Sequence, residues 1–181
     1  MHHTRIALAT ALTLSLPLTA MASDSATKQG ALRVSGDIVA LPIKSAASDN
    51  QVPLGISIGG NFYANQNIAL GGAIGFGLIE DTVFSGGTET DIGLDPYFRA
   101  NVKLGSFSQS DYTLYGLIGL EPYTITVNGT SADESVGDIA FGFGGSLGNG
   151  RFGQAFGFEY VIIQDSDLDD NITRFSMFID F

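Results

Sequence analysis

The sequence has no cysteine, only two histidines and only eight lysines and arginines in 181 residues. Without cysteine, an exported domain of this size has no disulfides to hold it, and thiol chemistry and zinc-thiolate sites are excluded. Acidic residues, 19 of them, outnumber basic ones by more than two to one, giving a formal net charge of -11. Such a chain is a poor partner for nucleic acid, whose affinity for proteins rests on neutralised phosphates. Long hydrophobic runs are also scarce, and nothing after the amino-terminal segment offers the roughly 20 unbroken apolar residues of a membrane-spanning helix.

What the chain does have begins at its amino terminus. Residues 1–5 are short and basic, 6–18 are apolar and helix-prone, and Ala20-Met21-Ala22 puts small residues where a signal peptidase reads. Cleavage before Ser23 is expected, giving a signal peptide over 1–22 and one domain over 23–181 of about 160 residues, enough for a single closed core. His2 and His3 lie in the part removed.

Eight segments of period-two alternation follow, separated by turn-rich breaks. The first, 32–43, sets Leu32, Val34 and Ile38 against Arg33, Ser35 and Asp37. The second, 52–63, sets Leu54, Ile56, Ile58 and Phe62 against Gly55, Ser57, Gly59 and Asn61. The third places Ile68, Leu70, Ile74, Phe76 and Leu78 opposite Ala69, Gly71, Ala73, Gly75 and Gly77. In the fourth, Ile92, Leu94, Phe98, Ala100, Val102 and Leu104 alternate with Asp91, Asp95, Tyr97, Arg99, Asn101 and Lys103. The fifth, 112–127, has Leu114, Ile118 and Leu120 on one face and Glu121 on the other, with Leu117 blurring the pattern. The sixth opposes Ile139, Phe141, Phe143 and Leu147 to Asp138, Ala140, Gly142, Gly144 and Ser146. The seventh opposes Phe156, Phe158, Tyr160 and Ile162 to Ala155, Gly157 and Glu159. The eighth runs to the carboxy terminus, with Phe175, Met177, Ile179 and Phe181 on one face and Arg174, Ser176, Asp180 and the exceptional Phe178 on the other.

Connections at 65–67, 105–111 and 148–151 are mostly tight and polar, whereas 44–50, 81–89, 128–135 and 165–171 are longer or acidic. Short turns on one side and longer loops on the other are the habit of outer-membrane barrels. A soluble barrel or sandwich, such as a lipocalin-like binder, would bury the phenylalanine-rich face and leave a solvent face with too little charge. A membrane barrel turns that face to lipid and fills its narrow lumen with small and polar residues. Inward positions occupied by Gly71, Gly75, Gly77, Gly142, Gly144 and Gly157 favour the second. The expected fold is all-β, an eight-stranded antiparallel transmembrane up-and-down barrel.

The chain resembles the small outer-membrane β-barrel proteins of Gram-negative bacteria, of the opacity-protein and OmpA-transmembrane-domain type. The likeness lies in Tyr115-Gly116-Leu117-Ile118-Gly119-Leu120, in Phe158-Glu159-Tyr160 before an acidic loop, and in the aromatic terminal strand ending at Phe181. It implies insertion by the barrel-assembly machinery, with Phe175, Met177, Ile179 and Phe181 as the assembly signal, and a setting of outer-membrane lipid and lipopolysaccharide. Unlike the OmpA type, the chain is expected to stop at the barrel, with no peptidoglycan-binding domain after it.

Little in the sequence points to chemistry. With no histidine beyond His3, the serines lack a conventional general base, so a non-enzymatic protein without cofactor is expected. The inward charges Arg33, Arg99, Lys103 and Arg174 face Asp37, Asp95, Glu121, Asp138 and Glu159, and the near balance predicts a lumen charge network. That network either plugs the barrel or lines a narrow channel for ions or small solutes. The carboxylates of 165–171 resemble a calcium loop but lack its glycine and its closing glutamate, so no metal site is expected there. Gly148-Asn149-Gly150-Arg151-Phe152-Gly153 satisfies G-x-G-x-x-G, yet it sits in a hairpin turn with no helix after it and carries no dinucleotide signal. The expected role is structural or surface-interacting, through short acidic external loops.

Overall fold

The computed structural model describes residues 28–42, 51–85, 88–108, 111–164 and 171–181. The expected signal segment and most of the acidic loop at 165–171 lie outside the described residues, as does the connection 43–50. Eight strands close into an antiparallel barrel: β1 (Gly30–Ala40), β2 (Leu54–Tyr63), β3 (Ile68–Ile79), β6 (Tyr97–Gly105), β7 (Tyr112–Leu120), β10 (Ile139–Gly148), β11 (Ala155–Ile163) and β12 (Ile172–Asp180). Closure is made by β1 on β12, with Arg33 opposite Asp180 and Asp37 opposite Ser176. Just past β12, the Phe181 amide donates to the Leu32 carbonyl at 2.8 Å, and the Leu32 amide returns a bond at 3.2 Å.

The alternation read from the sequence sorts the two faces. Phe98, Phe143 and Leu114 are 57%, 55% and 62% exposed, while Arg33, Asp37, Arg99, Lys103, Glu159 and Arg174 on the other face are buried. This is an inside-out sheet, with large apolar side chains outside and charge within. Leu117, which blurred the fifth segment, is an inward residue. Gly77 keeps the expected facing, paired with the inward Gly55 and with its missing side chain aimed at Leu94, but it is exposed because it lies near the end of β3, beside the Leu54/Gly55 register shift.

The fourth and fifth segments do not run through as single barrel strands. Each breaks at a proline, Pro96 and Pro122, which supplies no amide to a ladder. Before Pro96 and after Pro122 the chain leaves the barrel and forms a second sheet, in the order β4 (Asp81–Ser85), β5 (Thr88–Leu94), β8 (Tyr123–Val127), β9 (Thr130–Val136). The stretches expected as loops at 81–89 and 128–135 are therefore largely strand. Asn128 and Gly129 take φ of 50° and 73°, the paired positive values of a two-residue hairpin whose twist suits its strands. The barrel thus has a turn end, holding the three tight connections, and a sheet end. Both ends of the described barrel chain, Gly30 and Asp180, lie at the turn end.

Lipid contact on the large apolar face predicts a depth-dependent penalty for charge. Phe143→Arg, in the middle of β10, should cost about 2 to 4 kcal/mol, whereas Val127→Arg on the sheet beyond the barrel should cost well under about 1 kcal/mol. Urea unfolding of both variants in lipid vesicles measures the difference, and equal costs would mean that the barrel face does not meet lipid.

Candidate functional site: the charged lumen

Inward positions of adjacent strands meet at the barrel axis, and the register decides which charges touch. Arg174 on β12 stands opposite Val39 of β1 and Val161 of β11, a level at which its guanidinium reaches across the lumen. It grips Glu121 through two bonds, Nη2 to Oε1 at 2.7 Å and Nε to Oε2 at 3.1 Å, and donates to the Ser176 hydroxyl. Its Nη2 also lies 3.5 Å from Glu159 Oε2, and Nη1 lies 3.8 Å from Asp37 Oδ1. Paired, forked bonds of this kind are the strongest form of the arginine–carboxylate contact.

Asp37 is the second hub. Its carboxylate accepts from Tyr97 at 2.6 Å, Ser57 at 2.7 Å, Ser176 at 2.5 Å and Arg99 Nη1 at 3.2 Å. Arg99 spends its other amino group on Ser35 and Ser57, at 2.7 and 2.6 Å. Towards the turn end, Arg33 holds Asp180 with two bonds of 2.6 and 2.8 Å and also donates to Glu159. Glu159 further accepts from Lys103 and from Tyr115, both at 2.7 Å. The result is one connected group of four cations, Arg33, Arg99, Lys103 and Arg174, and four anions, Asp37, Glu121, Glu159 and Asp180. Buried charge is tolerable only when paired in this way.

Seven of the nine charges expected in the lumen enter this group. Asp95 and Asp138 do not: Asp95 is half-buried beside Pro96, and Asp138 is exposed just before β10. Period-two alternation assigned both inward, but each lies past the end of a barrel strand, where alternation no longer describes facing. Their backbones are used instead, the Asp95 amide donating to Thr124 and the Asp138 carbonyl accepting from Glu121. Asp180 supplies a fourth acid that was not among the expected lumen charges; its period-two position on the Arg174 face is the signal for it.

Glycine and aromatic residues complement each other across this lumen. A Cβ on Gly75 would lie 2.1 Å from the Tyr97 ring, one on Gly144 2.7 Å from Tyr115, and one on Gly157 2.6 Å from Phe178. Side chains at these positions would deny Tyr97 its place beside Asp37, and Tyr115 its place beside Glu159. Phe178, the exception in the terminal strand, lies under Arg33, whose guanidinium carbon stands 3.4 Å from the ring centre.

The network is capped at both ends. Val39, Leu41, Tyr123, Ile125, Ile163 and Ile172 are buried at the sheet end. At the turn end, Phe107 packs its ring 5.5 Å from Tyr63 and 5.9 Å from Tyr115. Tyr123, on β8 outside the barrel strands, has its ionisation pushed well up by burial and then by Glu121, so its hydroxyl stays neutral. Among the described residues no group of three or more metal-ligating side chains forms.

These features define the class: the chain has the fold of the eight-stranded transmembrane β-barrels of Gram-negative outer membranes. The structure of Ail, the attachment invasion locus protein of Yersinia pestis, in complex with the heparin analogue sucrose octasulfate, matches with a TM-score of 0.57 at 15% identity, over 83% of this chain and 96% of that one. Neisserial surface protein A matches with a TM-score of 0.58 at 12% identity, over 86% of this chain and 97% of that one. No protein-family model matches the chain, and no curated protein matches it. At such identities the likeness concerns the fold.

Removing one partner from a buried ion pair strands the other, so Arg174→Ala, which releases Glu121, should destabilise the barrel by about 3 to 5 kcal/mol. Tyr97→Phe deletes one bond to a charged acceptor and should cost about 1.5 to 3 kcal/mol. Urea midpoints in lipid vesicles give both values. A wild-type midpoint for Arg174→Ala would show that Glu121 does not depend on it.

Proposed function

We propose that the chain is a non-conducting, non-enzymatic outer-membrane barrel that acts through what its protruding acidic sheet meets outside the cell. The observation that carries this reading is the lumen: a charge-balanced, hydrogen-bonded plug lies between an aliphatic and tyrosine cap and an aromatic lid. An eight-stranded interior filled in this way leaves no continuous path for ions. The absence of any histidine beyond His3 and of any cysteine supports the non-enzymatic part. On this reading residues 1–22 direct export, and residues 23–181 form the membrane domain. The row Phe175, Met177, Ile179 and Phe181 addresses the chain to the barrel-assembly machinery, and the barrel sits in outer-membrane lipid beside lipopolysaccharide.

The sheet end carries Glu80, Asp81, Glu89, Asp91, Asp95 and Asp138, and segments 79–95 and 121–139 contain no lysine or arginine. A surface of one sign selects its partners by field. The polysulfated ligand of the Ail complex would be repelled here, and a cationic partner attracted. Protein in lipid nanodiscs should therefore pass unretained over heparin resin at low salt, yet bind polylysine with an affinity that falls as salt rises. Retention on heparin would reverse the assignment of partner charge.

The channel reading makes opposite demands on one variant. In planar bilayers the wild type should give no discrete conductance steps, and Arg99→Ala should lower the urea midpoint without creating any. Reproducible steps whose cation preference shifts in Arg99→Ala, with unfolding unchanged, would establish the channel instead.

A further inference from the structure

Four side-chain atoms among the described residues are buried without a hydrogen-bond partner: Asn61 Oδ1, Asn101 Oδ1, Thr113 Oγ and the Tyr123 hydroxyl. Three of the four gather in the turn-end half of the lumen. Two small voids adjoin them, each of about 10 Å³. One is lined by Asn61, Gly71, Asn101 and Lys103, the other by Asn61, Lys103, Thr113 and Tyr115. Asn61 and Thr113 are 5% and 3% exposed, so neither is served by bulk solvent.

The first void has a defined geometry. A Cβ placed on Gly71 would lie 2.4 Å from Asn101 Oδ1 and 3.1 Å from Asn61 Oδ1, so both amide oxygens converge over Gly71 in room that a side chain there would take, beside the void. Both are acceptors, and a single group that satisfies both must donate two hydrogen bonds. A metal cation or ammonium is disfavoured because Arg33, Arg99 and Lys103 in the wall outnumber its one carboxylate, Glu159. An anion offers no donor. Water fits on both counts, and a void of this size holds about one molecule.

We propose that the turn-end half of the lumen binds structural water at two sites, one bridging the Asn61 and Asn101 amide oxygens above Gly71, the other held by Thr113 beside Lys103. The sheet-end half, behind the Arg174 level, is packed by Val39, Leu41, Ile163 and Ile172, and the Tyr123 hydroxyl is its one unpartnered atom among the four. The plug is therefore asymmetric: direct ion pairs hold both halves, but three of the four unpartnered atoms, and the water they call for, lie on the Lys103 side.

The competing arrangement is a rotated Asn101 amide that donates straight to Asn61, an orientation that heavy-atom positions alone do not distinguish. Nuclear magnetic resonance on the folded barrel in nanodiscs separates the two. Magnetisation transfer from long-lived water to the Asn61 and Asn101 side-chain amides and to Thr113 is expected. Gly71→Ala should abolish the transfer at the two asparagines and leave that at Thr113, while the near-isosteric Thr113→Val should leave the asparagine signals intact. Should Gly71→Ala fail to fold, Asn101→Ala tests the same site by loss of the Asn61 signal. Absence of water transfer at both sites in the wild type, or a scalar coupling across a direct Asn101–Asn61 hydrogen bond, would overturn the proposal.

Discussion

Everything in this structure depends on keeping charge neutral inside a space too narrow for bulk water. Eight strands enclose an interior that side chains must fill, and the strands here fill it with four cations and four anions. Neither Arg174 nor Glu159 is tolerable alone at such burial, because an unpaired ion in low dielectric costs far more than any single packing contact returns. The register of β1, β11 and β12 therefore has a chemical as well as a steric determinant. A two-residue slip would keep every face correct and still separate Arg33 from Asp180.

Neutrality constrains volume as well. Guanidinium groups and tyrosine rings cannot all enter an eight-stranded lumen whose other positions also carry side chains. Glycines opposite Tyr97, Tyr115 and Phe178 resolve this by giving up their own volume. The same glycines weaken a strand taken by itself, because they lose more backbone entropy on folding and pack nothing. Closure of the sheet offsets that cost, since every barrel strand has two neighbours.

The barrel was legible in the sequence because its period is two and its faces differ sharply; Phe98 against Arg99 is an unambiguous step. The second sheet was not read, although its signals are present. Pro96 and Pro122 mark where two long alternating segments must leave the barrel ladder, and Asn128-Gly129 between Val127 and Thr130 is a strong hairpin signal. Alternation continued across the prolines and concealed the breaks. The same continuity assigned Asp95 and Asp138 inward. Which cation meets which anion was beyond the pattern, since pairing across a lumen depends on strand stagger and not on facing.

The charge distribution connects the plug to the surface. Of the chain's eight lysines and arginines, four are consumed within the lumen against four acids. The interior is thus electrically silent, and the formal charge of -11 belongs to the rest of the chain, much of it at the sheet end. An acid added to or removed from β4, β5 or β9 can therefore change the external field without disturbing the plug, whose pairs lie within hydrogen-bond distance of one another. The converse does not hold, because the loss of one lumen arginine leaves a carboxylate with nowhere to be solvated. The two regions are consequently free to vary to very different degrees: the lumen only through compensated pairs, the outer sheet one residue at a time.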